Sequence, residues 1–301
     1  MDDGVVDPHF HLWHLSRHPY PWLTQRPPPI RVAGDPAPIA RDFLVADYLA
    51  ESAAQGVVKA VHVDAGWDYR DPVAETRWLQ GVADDPASRG FPHGIVARAS
   101  LEASDAEAVL AAHAAHPNLR GIRQIANWHP DPDKTYIARP DLLSDLAWRR
   151  GFALLERFGL SFDLQCYPSQ FSQALRLADD FPGTSIVLNH TGMPVDRDAE
   201  GLRTWREGIR ALAERPNVTV KLSGLGMLDW SWTTASIRPF VREAIEAFGV
   251  DRAMFASNFP VDRLYSSFDR LYDAFREVVA DLPAPERRAL FRDTALRVYR
   301  L

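Results

Sequence analysis

Val57-Val58-Lys59-Ala60-Val61-His62-Val63-Asp64 is an apolar run of strand length. An amphipathic segment follows from about Pro72 to Ala83, and then a second run, Gly94-Ile95-Val96-Ala97-Arg98-Ala99-Ser100. Two buried strands separated by one helix form a βαβ unit, and the crossover helix makes the strands parallel. The same alternation extends both ways. Upstream, Val5–His11 reads as a strand and Val45–Gln55 as a helix stopped by Gly56. Downstream, Ser104 and Glu107 read as a capping box opening a helix to His116. Strand four is Leu119–Ile125, with its helix at Asp141–Phe158. Strand five is Leu160–Cys166, followed by a helix at Pro168–Phe181. Ser185–Asn189, Val218–Leu222 and Ala253–Ala256 are strands six to eight, with helices at Leu202–Glu214, Ile237–Phe248, Phe268–Ala280 and Ala284–Tyr299. Eight short strands in strict alternation with helices predict a single (β/α)8 TIM barrel spanning residues 1–301. No glycine-rich turn follows strand one, which argues against dinucleotide binding. Residues 12–43, rich in proline and aromatics (Tyr20-Pro21-Trp22, Pro27-Pro28-Pro29), form a long loop after strand one, expected over the barrel mouth.

Composition narrows the class. A net charge of −6 without any basic run argues against nucleic acid. No stretch is apolar enough to span a membrane, and the chain opens Met1-Asp2-Asp3-Gly4 without a signal-peptide pattern. One cysteine, Cys166, fits a reducing compartment, so a cytoplasmic protein is expected. Cys166 by itself gives no reason to assign a nucleophile, and no Gly-x-Ser-x-Gly elbow is present.

In a TIM barrel, chemistry comes from the C-terminal ends of the strands and the loops after them. Strand one ends His9-Phe10-His11, two imidazoles that face one side of the strand. They suit either a divalent metal or hydrogen bonds to a substrate. Strand six delivers His190, and strand two ends at Asp64, either a carboxylate in the mouth or a loop cap. Arg123 on strand four is a candidate carboxylate clamp. Lys221 lies in an otherwise apolar strand, which favours an inward role. Strand eight leads to Asn258, with Asp262 just beyond. Tyr167, His129, Trp13 and Trp67 are further candidate substrate contacts, and the rim tryptophans suggest a wall for a ring-shaped ligand.

These stretches jointly resemble the amidohydrolase superfamily, in its amidohydrolase-related branch of TIM-barrel, metal-dependent hydrolases. The motifs are Asp7-Pro8-His9-Phe10-His11-Leu12-Trp13, Tyr20-Pro21-Trp22-Leu23, Val61-His62-Val63-Asp64-Ala65-Gly66-Trp67 and Glu75-Thr76-Arg77-Trp78-Leu79. Asn189-His190-Thr191-Gly192-Met193-Pro194, Lys221-Leu222-Ser223-Gly224-Leu225 and Phe255-Ala256-Ser257-Asn258-Phe259-Pro260 complete them. The resemblance implies a lactonase acting on sugar lactones such as fuconolactone or rhamnonolactone, or on a pyrone dicarboxylate lactone of aromatic catabolism. It implies metal ligation by His9, His11 and His190, with one divalent ion, zinc first, as the cofactor. Two departures stand out. Strand five offers Gln165-Cys166-Tyr167 in place of a ligand histidine, and the strand-eight aspartate of relatives is Asn258, which cannot accept a proton. Metal-independent catalysis is therefore the competing expectation, with His190, Asp64 or Asp262 as base and Asn258 orienting the water. A decarboxylase is the alternative lyase reading. A non-catalytic ligand-binding barrel is the other, supported by Asn258. The expected partner is a small molecule, and a homo-oligomer is left open.

Overall fold

A computed structural model describes residues 4–27 and 31–301. Met1 to Asp3, together with Pro28 and Pro29 of the proline run, lie outside the described residues. The eight strands are β1 (Val5–Phe10), β2 (Val57–Val63), β3 (Gly94–Arg98), β4 (Leu119–Arg123), β5 (Ser161–Leu164), β6 (Ile186–Leu188), β7 (Val218–Leu222) and β8 (Ala253–Phe255). They form one sheet in sequential order, all parallel. The sheet closes where Phe10 bridges Phe259, with His11 N–H donating to the Phe259 carbonyl and Asn258 N–H to that of His9. The architecture is the TIM barrel that the alternation predicts. Among the described residues no helix is long and apolar enough to cross a membrane.

Short buried strands suit this fold because both sheet faces are covered. One face meets the helical ring. On the other, Val6, Val61, Val96, Val187 and Met254 pack with Tyr299 from the C-terminal helix. Every strand whose sequence reading reached past the apolar run ends a residue or more earlier. His11, Asp64, Gln165 and His190 therefore sit just past strand ends, where a barrel places chemistry.

Several helix boundaries need correction. The capping box does not form: the helix is Ala106–Ala114, Asp105 holds the N-cap position, and no side chain caps it. The segment read as Asp141–Phe158 is broken into Leu142–Ser144, Leu146–Phe152 and Leu154–Arg157. Asp145 restarts it by accepting from the Trp148 amide. Gly151 packs so tightly on the Leu101 carbonyl that a Cβ there would lie 1.9 Å from its oxygen. The helix Ala199–Ala213 begins earlier than its apolar pattern because Asp198 caps it through Gly201 N–H.

The segment after β1 is not one irregular loop, since it contains a helical turn at Pro21–Thr24 and a 3-10 turn at Ala37–Ile39. Trp13 N–H and carbonyl exchange hydrogen bonds with Phe43 and so pin its base.

Asp7 joins the two ends of the sheet. Its buried carboxylate accepts from Tyr48 Oη (2.8 Å), Ser257 N (2.9 Å) and Ser257 Oγ (2.6 Å). Replacing Asp7 by alanine leaves these buried donors unpaired. We expect a loss of about 3 kcal/mol, seen as a thermal midpoint lower by on the order of 5–10 °C.

Candidate active site

His9, His11 and His190 converge at one end of the barrel. The His9 ring centroid lies 5.0 Å from that of His11 and 4.6 Å from that of His190. His190 owes its position to a left-handed turn, with φ near 54° at His190 and 55° at Thr191. Asn258 adopts the same conformation, φ 56°, which asparagine tolerates better than most residues.

Each imidazole has its Nδ1 engaged by a neighbour. His11 Nδ1 lies 2.7 Å from the Val63 carbonyl, which can only accept, so Nδ1 carries the proton and Nε2 keeps a lone pair. His9 Nδ1 lies 3.4 Å from Lys221 Nζ. An ammonium can only donate, so the His9 proton sits on Nε2, a buried atom without a hydrogen-bond partner among the described residues. His190 Nδ1 meets Ser223 Oγ at 3.1 Å. Burial, then the nearby cations Lys221 and Arg123, hold His9 and His190 well below the ordinary histidine range. The same causes take His11 down to about 3. All three imidazoles are neutral at physiological pH.

Lys221 is fully buried and pairs with Asp163 at 2.5 Å. Asp163 also accepts from Tyr299 Oη (2.9 Å) and Asn189 Nδ2 (3.1 Å). Burial lowers the Lys221 ammonium, and Asp163 opposes that shift. Lys221 thus faces inward, but beneath the histidines rather than on the cavity wall.

Above the histidines lies a cavity of about 730 Å3, a volume typical of small-molecule sites. His11, His190, Asn258, Asp64, Arg123 and Trp67 all reach its wall. Trp22, Arg31 and Gly34 bring in the segment after β1. Arg123 donates to the Asp64 carbonyl and to Gln165 Oε1 (3.1 Å), and sits 3.4 Å from Asp64 Oδ2.

Besides Lys221, five expected site residues do not line the cavity: His9, fully buried one layer deeper, and Trp13, Tyr167, His129 and Asp262. Trp13 is fully buried, donates to the Arg41 carbonyl and packs behind His11. Tyr167 is tied to the Lys134 carbonyl, and His129 to Asp196. Asp262 stands one layer behind Asn258, whose Nδ2 donates to Asp262 Oδ1 at 3.3 Å. Burial pushes the Asp262 carboxyl up to about 7, with the Asn258 amide and the Gly224 backbone partly opposing. Asp262 Oδ2 has no partner among the described residues.

The sequence reading missed Asp163. The argument that turned Lys221 inward applies equally to Asp163 within the strand Ser161–Leu164, but it does not name the partner.

The amidohydrolase family model matches residues 6–301. The chain belongs to the amidohydrolase family. Uncharacterized protein y4mH of Sinorhizobium fredii NGR234 is 49% identical over 300 residues, covering 100% of this chain and 99% of that one. An L-fucono-1,5-lactonase of Burkholderia multivorans is 30% identical, covering 98% of this chain and 96% of its own. A crystal structure of an amidohydrolase from Burkholderia multivorans with bound zinc superposes with a TM-score of 0.81 at 28% identity, covering 99% of each chain.

The residues of this amidohydrolase suit a tightly held dication poorly. Among the described residues no three His, Cys, Asp or Glu side chains are arranged as ligands of one ion. With the Lys221 ammonium donating to His9 Nδ1, the His9 proton is left on Nε2; Asn258 supplies no negative charge, and Arg123 and Lys221 add positive potential. Nitrogen-15 spectra of labelled histidines should show His11 protonated at Nδ1 and His9 at Nε2. Lys221→Met should release the His9 assignment, with the His11 pattern as internal reference.

Proposed function

We propose that this amidohydrolase opens a small lactone by direct hydrolysis, with its own side chains in place of a metal. The observation that carries the reading is a complementary pair of imidazoles: His11, with a lone pair at Nε2, lines the cavity, and His9, with a proton donor at Nε2, packs against it one layer deeper. The L-fucono-1,5-lactonase relative supports a lactone as the substrate class.

In this mechanism the lactone carbonyl oxygen points at the Arg123 guanidinium on the cavity wall, and His9 Nε2–H adds positive potential from the layer beneath. Oriented donors aimed at a developing oxyanion are among the largest contributions to acyl-transfer catalysis. A water molecule donates to His11 Nε2, which lies 3.3 Å from Asn258 Oδ1, and keeps its own lone pair for the carbonyl carbon. His11, with its pKa depressed to about 3, orients this water without deprotonating it. Asp64 is a poor base because Oδ1 accepts from Gly66 N–H (3.1 Å) and Oδ2 faces Arg123. Asp262 has a free oxygen and a pKa matched to neutral solution.

The water proton passes to Asp262 when the Asn258 amide swings aside. The oxyanion then collapses, the ring C–O bond breaks, and the departing alkoxide takes that proton back. Lactone plus water becomes one hydroxy acid, with no net change in the enzyme. The Asn258 amide has two orientations. Turned over, it donates to His11 Nε2 and accepts from protonated Asp262, so its orientation is coupled to the Asp262 proton.

The base must be ionised, so kcat/KM on a lactone substrate should rise as pH increases through about 7, the value of Asp262. The histidines, already neutral there, add no second step. Asp262→Asn should lower the rate by roughly 10²–10⁴-fold, the usual contribution of a general base, and remove the inflection. Asp64→Asn should keep it. A flat wild-type profile, or an inflection that survives Asp262→Asn, contradicts the assignment of Asp262.

A further inference from the structure

We propose that a second chamber beside the candidate active site is a carboxylate subsite, where Arg98 receives an acidic arm of the lactone; this rests on the lactonase reading above. The chamber has a volume of about 370 Å3 and shares Asp64, Tyr69, Ile125 and Tyr136 as walls with the main cavity. The main cavity is already sufficient for a small ligand, so the side chamber is additional room directed away from the histidines.

Arg98 ends β3 and lies beside Arg123 in the register of β3 and β4. Its guanidinium carbon sits 3.4 Å from the centre of the Tyr69 ring, and one NH donates to Ser100 Oγ at 3.1 Å. Stacking and this bond fix the group and leave its other donors available. Among the described residues, no carboxylate forms an ion pair with Arg98. The other charged groups lining the chamber are engaged. Arg139 pairs with Asp141 and Asp145, and Asp64 with Arg123. Glu102 accepts from Gln124 Nε2 at 2.8 Å. Glu102 is also exposed, so solvent and salt screen its charge.

Gln124 in turn accepts from Leu101 N–H and Trp148 Nε1, which makes the wall behind Arg98 rigid. A half-buried, stacked guanidinium without a counter-ion suits a planar carboxylate, which it can bind through two parallel hydrogen bonds. A hydroxymethyl or methyl arm would leave that charge uncompensated. The substrate class is therefore a sugar-acid lactone whose chain ends in a second carboxylate, away from the ring carbonyl.

The test compares two lactones that differ at that end alone, D-glucaro-1,4-lactone and D-glucono-1,4-lactone. The wild type should prefer the first. Arg98→Met should raise its KM by roughly tenfold or more, as expected when a hydrogen bond to a charged group is lost, and leave KM for the second within about twofold. Arg98→Lys should recover part of the loss, and thermal unfolding checks that both variants are folded. Equal effects on the two lactones, or none, overturn the subsite while leaving the lactonase reading in place. If neither lactone is opened, that reading is at fault, and calorimetry with D-glucarate and D-gluconate decides the subsite alone. Tighter binding of glucarate that is lost in Arg98→Met supports it, and equal binding of the two acids overturns it.

Discussion

The ion pair between Lys221 and Asp163, buried inside the barrel at 2.5 Å, is the interaction on which the candidate site depends. A buried pair is weak evidence for stability, because desolvating both charges costs several kcal/mol. Its consequence here is positional. Asp163 holds the lysine with help from Tyr299, so the C-terminal helix reaches the centre of the barrel. Lys221 then meets His9 at Nδ1 and so decides which of its nitrogens carries the proton. Asp7, two residues before His9, fixes the backbone of the same strand to Ser257, and Asn258 follows directly. Both strand-one histidines and the strand-eight amide are thus placed by buried carboxylates with no direct part in the chemistry.

That arrangement separates two ways of using a histidine cluster. A metal centre needs several lone pairs pointing inward, best with a negative ligand among them. Here one imidazole presents a proton and another a lone pair, the strand-eight ligand is neutral, and two cations stand nearby. Burial first and the two cations second keep the imidazoles neutral, and the same cations make a dication unfavourable. In exchange, the site holds a donor and an acceptor for a carbonyl and a water, with Asp262 behind the amide.

The barrel was legible because its signal is repeated: each apolar run is short, each is followed by a helical pattern, and the count is eight. The convergence of His9, His11 and His190 was legible because a barrel brings its strand ends together. Tyr167, His129 and Trp13 were misplaced because position near the rim does not say which way a side chain turns. Each found a nearby backbone or carboxylate partner instead. The helix after β4 was misread because a glycine in contact with a carbonyl and a capping aspartate overrode its apolar period. Asp163 and Arg98 carried no local motif. Their roles come from partners distant in sequence, Lys221 for one and the unfilled chamber beside Tyr69 for the other.

The claim that the imidazoles act on the carbonyl without a metal is tested most directly by metal content measured alongside turnover. Purified protein would be analysed for zinc, manganese and iron, then assayed on a lactone before and after exhaustive chelation. This account predicts metal well below one equivalent and a rate unchanged by the chelator. A stoichiometric metal, with activity lost on chelation and restored by adding zinc, would contradict it.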